Sequence, residues 1–442
     1  MSDHARSSSP PVQAQLDRLR TLSPGADILG LERITALLAR LGDPHLRLPP
    51  AFHIAGTNGK GSTCAFLRAA LEAAGHRVHV YTSPHLCRFN ERIRLAGALI
   101  EDNTLAALLE EVLDAAGSGA GDIGASFFEV TTAAAFLAFA RAPADACIIE
   151  VGLGGRLDAT NVIPAPAVCG IAALGVDHQS FLGDTLLQIA AEKAGIAKPG
   201  VPLVTMDYSP PVAARIAKVA TAASAKLVTR GEGWQSGAGD GAVRYTDSHG
   251  TLAAPLPRLA GAHQANNYAL AIAMLRHQHA IHIPLDAIRA AAADATWPAR
   301  MQRLGPGPLT ARYDPAGGVW VDGAHNPSAA EPIAAAWRTI SRGRPAALVI
   351  GMLVNKDAET VLAILAPVVD HILTVPIEGH DHHDPSALAA IARAHEIVAD
   401  VAPTLADALN MLASESRAHA VPIAGSLYLA GEALAANDKV PT

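Results

Sequence analysis

The 442-residue chain carries 34 basic and 41 acidic residues for a net charge of −7, and half of it is hydrophobic. That length exceeds one hydrophobic core, so two or three domains are expected. The acidic balance excludes a general nucleic-acid binder with a basic face, but it leaves room for a locally basic site facing an anionic substrate.

The start MSDHARSSSPP is polar, without the apolar core of a signal peptide. No uncharged apolar run nears the ~20 residues that span a bilayer. Cys64, Cys87, Cys147 and Cys169 are scattered with no C-x-x-C pair, as structural thiols in a reducing compartment would be. A soluble, cytoplasmic protein is expected.

Residues 1–12 read as a disordered tail. Over 27–42, Leu31, Ile34, Leu37, Leu38 and Leu41 recur at helical spacing, and Gly42-Asp43-Pro44 stops the helix. The apolar run ending Phe52-His53-Ile54-Ala55 reads as a buried strand. It breaks into the turn Gly56-Thr57-Asn58-Gly59-Lys60-Gly61, and a helix follows with Phe66, Leu67, Ala70 and Leu71 at helical spacing and Gly75 as its cap. Strand, glycine turn and helix N-terminus together cradle a polyphosphate. The glycines let backbone N–H groups close on the anion, the helix dipole favours negative charge, and Lys60 adds a full positive charge. The spacing departs from the standard phosphate loop. Only Thr57 and Asn58 separate Gly56 from Gly59, and Gly61 stands where Ser or Thr normally follows the lysine, Ser62 coming one place later.

A short strand at 78–81 runs into Thr82-Ser83-Pro84-His85, and helices are expected over 101–114 and 131–142. The apolar run 147–151 contains Glu150 at its C-terminal end, where buried parallel strands bring ligand-binding groups. A strand at 168–174 ends near Asp177-His178, followed by a helix at 185–197 and a strand at 202–206. Residues 231–258 turn Gly-, Ser- and Asp-rich and suggest a β-hairpin excursion. A helix spans 266–277, and 297–308 reads as a linker. Beyond it, strands at 319–321, 347–350 and 372–375 alternate with helices at 327–338, 358–365, 385–395 and 405–413, and 421–429 leads into a last helix. The expected architecture is α/β with two domains. Residues 1–298 form a P-loop ATPase-type, mostly parallel sheet flanked by helices, with the excursion at about 231–258. Residues 299–442 form a smaller Rossmann-like domain.

A phosphate loop works with Mg²⁺, which needs hard oxygen ligands. Ser83, Glu150 and His178 stand at strand ends. Glu150 is the strongest of them, although a strand-end carboxylate also fits plain solvent exposure. Taken alone, His178 reads as a capping or core histidine, Ser83 as a turn residue, and Lys193 as a solvated helix lysine. Asp322-Gly323-Ala324-His325-Asn326-Pro327 suits ligand contact, and an Asx turn explains Asp322 or Asn326 equally well. The run His380-Asp381-His382-His383-Asp384 is metal-like in content but reads as a polar loop before the helix at Pro385.

Together, GTNGKGST at 56–63, TSPHL at 82–86 with Glu91-Arg92-Ile93 after it, FFEVTT at 127–132 and EVGLGGRLDATN at 150–161 resemble folylpolyglutamate synthases and bifunctional dihydrofolate synthases of the Mur ligase superfamily. Asp177-His178, EKAGI at 192–196, HQANN at 263–267 and DGAHNP at 322–327 continue the likeness, in family order, across nearly the whole chain. GTNGKGS rather than GTNGKTT favours the folate branch. The resemblance implies an ATP-dependent amide ligase: a pteroate or folate carboxylate takes the γ-phosphoryl group, and the amine of L-glutamate displaces phosphate from the acyl phosphate. A Mur-type peptide ligase acting on a nucleotide-sugar precursor is the alternative.

By the same resemblance, Thr57, Asn58, Gly59, Lys60, Gly61 and Ser62 hold the ATP phosphates, and Asn267, Arg300 and Asp322 contact the nucleotide. Ser83, Glu150 and His178 match magnesium ligands, and Lys193 matches a lysine that is carbamylated, an anionic ligand for a two-metal site. Phe128, Glu129, Val130, Leu157, Asp158 and Ala159 match the pterin side. His325 and Ser426 belong near the incoming glutamate, and Lys60, Lys193 and His325 form the implied catalytic set. The implied ligands are ATP, two Mg²⁺ and a monovalent cation, in a monomer that binds neither nucleic acid nor membrane. Two positions depart from the pattern: Ala299 in WPAR stands where glycine is usual, and Ala424 where serine is.

Overall fold

The computed structural model describes residues 6–22, 29–117, 121–312, 318–341, 343–414 and 420–442. These fall into two compact units, one comprising the chain up to Arg258 plus Gln264–Thr296, the other Leu259–His263 plus Trp297–Pro441.

The first unit opens with helices α1 (Pro10–Leu22) and α2 (Glu32–Arg40), then strand β1 (Ala51–Ala55), α3 (Lys60–Ala73) and β2 (Val78–Tyr81). A short antiparallel pair, β3 (Ile93–Leu95) and β4 (Ala98–Leu99), precedes α4 (Asp102–Ala116), α5 (Phe127–Arg141) and β5 (Ala146–Glu150). Next come β6 (Val168–Ile171), α6 (Gln179–Leu182), α7 (Leu186–Ala194), β7 (Pro202–Thr205), α8 (Pro210–Ala222) and β8 (Lys226–Thr229). Strands β9 (Trp234–Gly239), β10 (Ala242–Asp247) and β11 (Gly250–Pro255) form a separate sheet, and α9 (His263–His277) and α10 (Leu285–Asp294) follow.

The main sheet has eight strands in the order β4-β3-β2-β5-β1-β6-β7-β8. It is parallel from β2 to β8, with β3 and β4 as an antiparallel edge. All of β1 and β5 is buried, which is why both read as unbroken apolar runs. Leu37, Leu109 and Phe136 pack one face, and Ile189, Ala194, Leu203 and Ile216 lie buried in and around α7, β7 and α8.

Several expectations change. The tail does not reach residue 12: α1 starts at Pro10, and Val12, Leu16 and Leu19 are fully buried, while residues 1–5 lie outside the described residues. The helix expected at 27–42 is Glu32–Arg40, with 27–28 also outside. The helix expected from 131 starts at Phe127, because Ser126 and Glu129 close a reciprocal capping box. The hairpin excursion is a three-stranded antiparallel meander. Within it, Trp234 stacks on Tyr245, and Arg276 near the end of α9 grips the buried Asp247 carboxylate with two 2.7 Å bonds.

The second unit runs β12 (Gln302–Arg303), β13 (Val319–Val321), α11 (Pro327–Ser341), β14 (Ala347–Ile350), α12 (Ala358–Leu365) and β15 (His371–Thr374). It closes with α13 (Pro385–Ala394), β16 (Val398–Val401), α14 (Leu405–Ala413), β17 (Val421–Ala424) and α15 (Leu427–Ala436). Its sheet order is β12-β13-β17-β14-β15-β16, parallel except for β12, a strand inside the expected linker. Trp337 anchors the core, edge-on to Trp320, among Ile333, Leu348, Leu362 and Ile372. Among the described residues, no helix is long and apolar enough to cross a membrane.

Candidate active site

The site builds outward from the end of β1. Ile54 pairs with Glu150, so the last residue of β5 lies beside the phosphate loop. Tyr81 pairs with Ile149, which sends Thr82-Ser83 off the same edge from β2. Ala55 pairs with Ile171, and the segment leading to Asp177-His178 leaves from there. The strand order thus gathers the segments carrying Ser83, Glu150 and His178 at the C-terminal edge of one sheet, around the Gly56–Ser62 turn.

Thr57 and Asn58 do not turn their backbone donors toward an anion. Both N–H groups are committed to Ala173 O, at 2.9 and 3.1 Å, and Thr57 Oγ1 is bonded to Gly175. The donors left to face a phosphate are those of the first turn of α3, which have no intrahelical partner. Gly59 caps that turn in the left-handed region, at φ 84°. A Cβ there would collide with Asn267 Oδ1, so Asn267, near the start of α9, touches the loop.

Lys60 Nζ donates to Gly56 O at 3.2 Å and stands 3.9 Å from Glu150 Oε1. Lys193 Nζ donates to the same Gly56 carbonyl at 3.0 Å. Lys193 is not a solvated helix lysine: it is 4% exposed. Burial, and after it the charge of Lys60, push its pKa down to about 7, against an upward pull from Asp177 and Asp158. Glycine explains the burial. A Cβ on Gly155 would lie 2.7 Å from Glu192 O and 2.9 Å from Lys193 O, so only glycine lets the 152–161 loop close over α7. Arg156 N–H to Glu192 O and Asn161 Nδ2–H to Gly195 O fasten the contact.

Within that loop, Asp158 is 2% exposed. Its Oδ2 accepts the Leu153 N–H, and its Oδ1 accepts both the N–H and the hydroxyl of Thr160. Burial raises its pKa, and these donors oppose the rise. Ala159 is buried and Leu157 half-buried. On the facing helix, the Phe128 ring fills the space that a side chain at Gly152 would need. Val130 is buried, and Glu129 Oε2 accepts from Arg33 Nε and from Ser126 N–H. Arg33, Thr160 and His53, which bonds to Thr160, went unread in the sequence. Arg33 meets Glu129 and His53 meets Thr160 across about a hundred residues or more, and only the S-x-x-E box beginning at Ser126 carried a local signal.

In the second unit, Asp322 is buried, accepting Met301 N–H through Oδ2 and Ala324 N–H through Oδ1, the Asx turn. Burial raises its pKa and the neighbouring Arg300 charge opposes it. Arg300 also donates to Ala299 O. His325 Nδ1 lies 2.8 Å from Gly323 O, Asn326 caps α11 through the Ala329 N–H, and Ser426 caps α15 through the Tyr428 N–H. The run at 380–384 is a structural loop. His383 Nε2 meets Lys356 O, Asp384 caps α13, and His380 stacks on Tyr428 at 3.7 Å.

Among the described residues, no three His, Cys, Asp or Glu side chains gather as a metal cluster. The Ser83 hydroxyl and the Glu150 carboxylate are the hard oxygen donors that Mg²⁺ takes, with the His178 imidazole as a softer third. The donor set fits that ion.

The chain is 38% identical over 373 residues to the dihydrofolate synthase/folylpolyglutamate synthase of Escherichia coli, covering 84% of this chain and 82% of that one. It belongs to that family. Residues 300–427 match the model of the Mur ligase glutamate ligase domain. An E. coli FolC structure in complex with DHPP and ADP superposes with TM-score 0.87 at 34% identity, covering 98% of both chains. A bifunctional folylpolyglutamate synthase/dihydrofolate synthase with Mn, AMPPNP and L-glutamate bound gives 0.84 at 32% identity, covering 98% of this chain and 99% of that one. These folate-ligase relatives favour the folate branch over the nucleotide-sugar alternative.

Proposed function

We propose that the chain is an ATP-dependent ligase forming a C–N bond, adding L-glutamate to dihydropteroate, to (poly)glutamylated reduced folates, or to both, and releasing ADP and phosphate. The observation that carries this reading is the convergence of Lys60 and the buried Lys193 on Gly56 O beside Glu150. A carboxylate is a poor electrophile, and phosphorylation makes it one. Transfer between anions needs positive charge where negative charge develops. Lys60 and the backbone N–H groups of Gly59–Ser62 supply it. Ser83, Glu150 and His178 would hold Mg²⁺, which would supply Lewis-acid charge to offset the rest.

Lys193, with its pKa near 7, presents a neutral amine fraction at physiological pH, the form that takes up CO₂. As a carbamate it would become an oxygen donor for a second ion, and a monovalent cation would complete the set. Asn267, Arg300 and Asp322 serve the nucleotide. Phe128, Glu129, Val130 and Leu157–Ala159 serve the pterin, and His325 and Ser426 the glutamate side. The enzyme acts in the cytoplasm as a monomer. The test is a substrate panel: ATP-derived phosphate should appear only when glutamate is supplied together with dihydropteroate or a tetrahydrofolate. Absence of glutamate-dependent turnover with every pterin sinks the proposal.

A further inference from the structure

His53 sits inside β1, just before the phosphate loop, wholly buried and outside every role assigned above. Its Nε2 lies 2.8 Å from Thr160 Oγ1. The Thr160 hydroxyl in turn meets Asp158 Oδ1, and Asp158 Oδ2 holds the Leu153 N–H. Donor arithmetic gives this chain a direction. An ionised carboxylate only accepts and a hydroxyl has one proton, so Thr160 donates to Asp158 and its oxygen accepts from His53. The His53 ring proton is therefore on Nε2. Its Nδ1, buried with no hydrogen-bond partner, is left without the proton that would need an acceptor.

We propose that His53 and Thr160 are positioning residues for the pterin substrate, locking the 152–159 loop through Asp158 to the strand that feeds the phosphate loop. This rests on the assignment of Leu157, Asp158 and Ala159 to the pterin side. The Asp158 carboxylate is occupied within its own loop, so its service to a substrate is to hold the loop's shape. The phosphate loop has a separate anchor, the bonds from Thr57 and Asn58 to 173–175. Loosening the Asp158 chain should therefore spare the nucleotide.

The experiment compares Thr160→Val, which keeps the shape and loses the hydroxyl, with Thr160→Ser, which restores it, by steady-state kinetics. Binding of ADP and of dihydropteroate is measured separately by calorimetry. A lost hydrogen bond to a charged group should raise KM for dihydropteroate about 10- to 100-fold in Thr160→Val. Under the same scale, KM for ATP and the affinity for ADP should stay within about threefold, with Thr160→Ser near wild type. Should Thr160→Val fail to fold, His53→Phe against His53→Gln, which keeps a donor, is read in the same way. Parallel loss of nucleotide and pterin affinity, equal damage in Ser and Val, or an unchanged pterin KM overturns the proposal. Wild-type protein without glutamate-dependent turnover overturns the functional reading instead, and calorimetry still shows whether the variants separate pterin from nucleotide.

Discussion

The two mostly parallel sheets end in loops that treat buried polar groups in opposite ways. At the edge of the eight-stranded sheet, two lysine amines share the Gly56 carbonyl with a carboxylate alongside. The pKa of Lys193 falls partly because Lys60 is close. At the edge of the six-stranded sheet, Asp322, Asn326 and Ser426 are buried too, but each is satisfied by nearby backbone N–H groups in a turn or helix cap. Like charges held together mark a place arranged for a ligand's charge. Satisfied caps mark a place arranged for shape. The first edge thus concentrates charge, whereas the second spends its buried polar groups on holding its own turns and helix starts.

The sharpest way to break that contrast is Lys60→Ala. It should lower kcat about 10²- to 10³-fold in a phosphate-release assay while leaving the thermal midpoint nearly unchanged. It should also let the Lys193 pKa rise, readable by NMR of the labelled amine. A modest kinetic loss would mean the first edge is no more electrostatic than the second. In the second unit, Asp322→Ala orphans the Met301 and Ala324 N–H groups. It should cost about 1–3 kcal/mol in denaturant unfolding, beside the higher KM for ATP that its service to the nucleotide implies.

Acid should act on both units. Burial lowers the His53 pKa to about 3, and burial with the charge of Arg300 lowers that of His263 to about 4. Between those values and the unfolded pKa of 6.5 the unfolded chain binds the extra proton. Stability is therefore lost as pH falls through that window, at about 1.4 kcal/mol per pH unit for each histidine. His53→Gln and His263→Gln should each flatten the acid limb of the unfolding free energy by one proton. The smallest expected effect is Ala299→Gly. Ala299 is fully buried at φ 53°, and relieving that left-handed backbone should stabilise the second unit by up to about 1 kcal/mol, seen as a raised melting midpoint.

The phosphate loop was legible because its glycines, lysine and flanking elements are contiguous, and Glu150 because an acid closing an apolar strand is a local signal. The burial of Lys193 was not, since it depends on a glycine in another loop whose missing side chain admits α7. The link from His53 to Thr160 joins positions far apart in sequence that only the fold brings together. Other misses were avoidable. Val12, Leu16 and Leu19 already show helical spacing behind the polar start. The two turns at Gly239-Asp240-Gly241 and Ser248-His249-Gly250 mark three strands rather than two, and Asp240 and Gly241 both adopt positive φ there.

The placement of the four tryptophans has a practical consequence. Trp297, Trp320 and Trp337 belong to the second unit, and Trp234 sits in the antiparallel meander against Tyr245. The eight-stranded sheet and the helices packed on it therefore contain no native indole. An intrinsic-fluorescence unfolding curve follows the smaller unit and the meander, and it is dark to the fold that carries the phosphate loop. Following the ATP side by light requires a nucleotide-borne fluorophore or an engineered reporter.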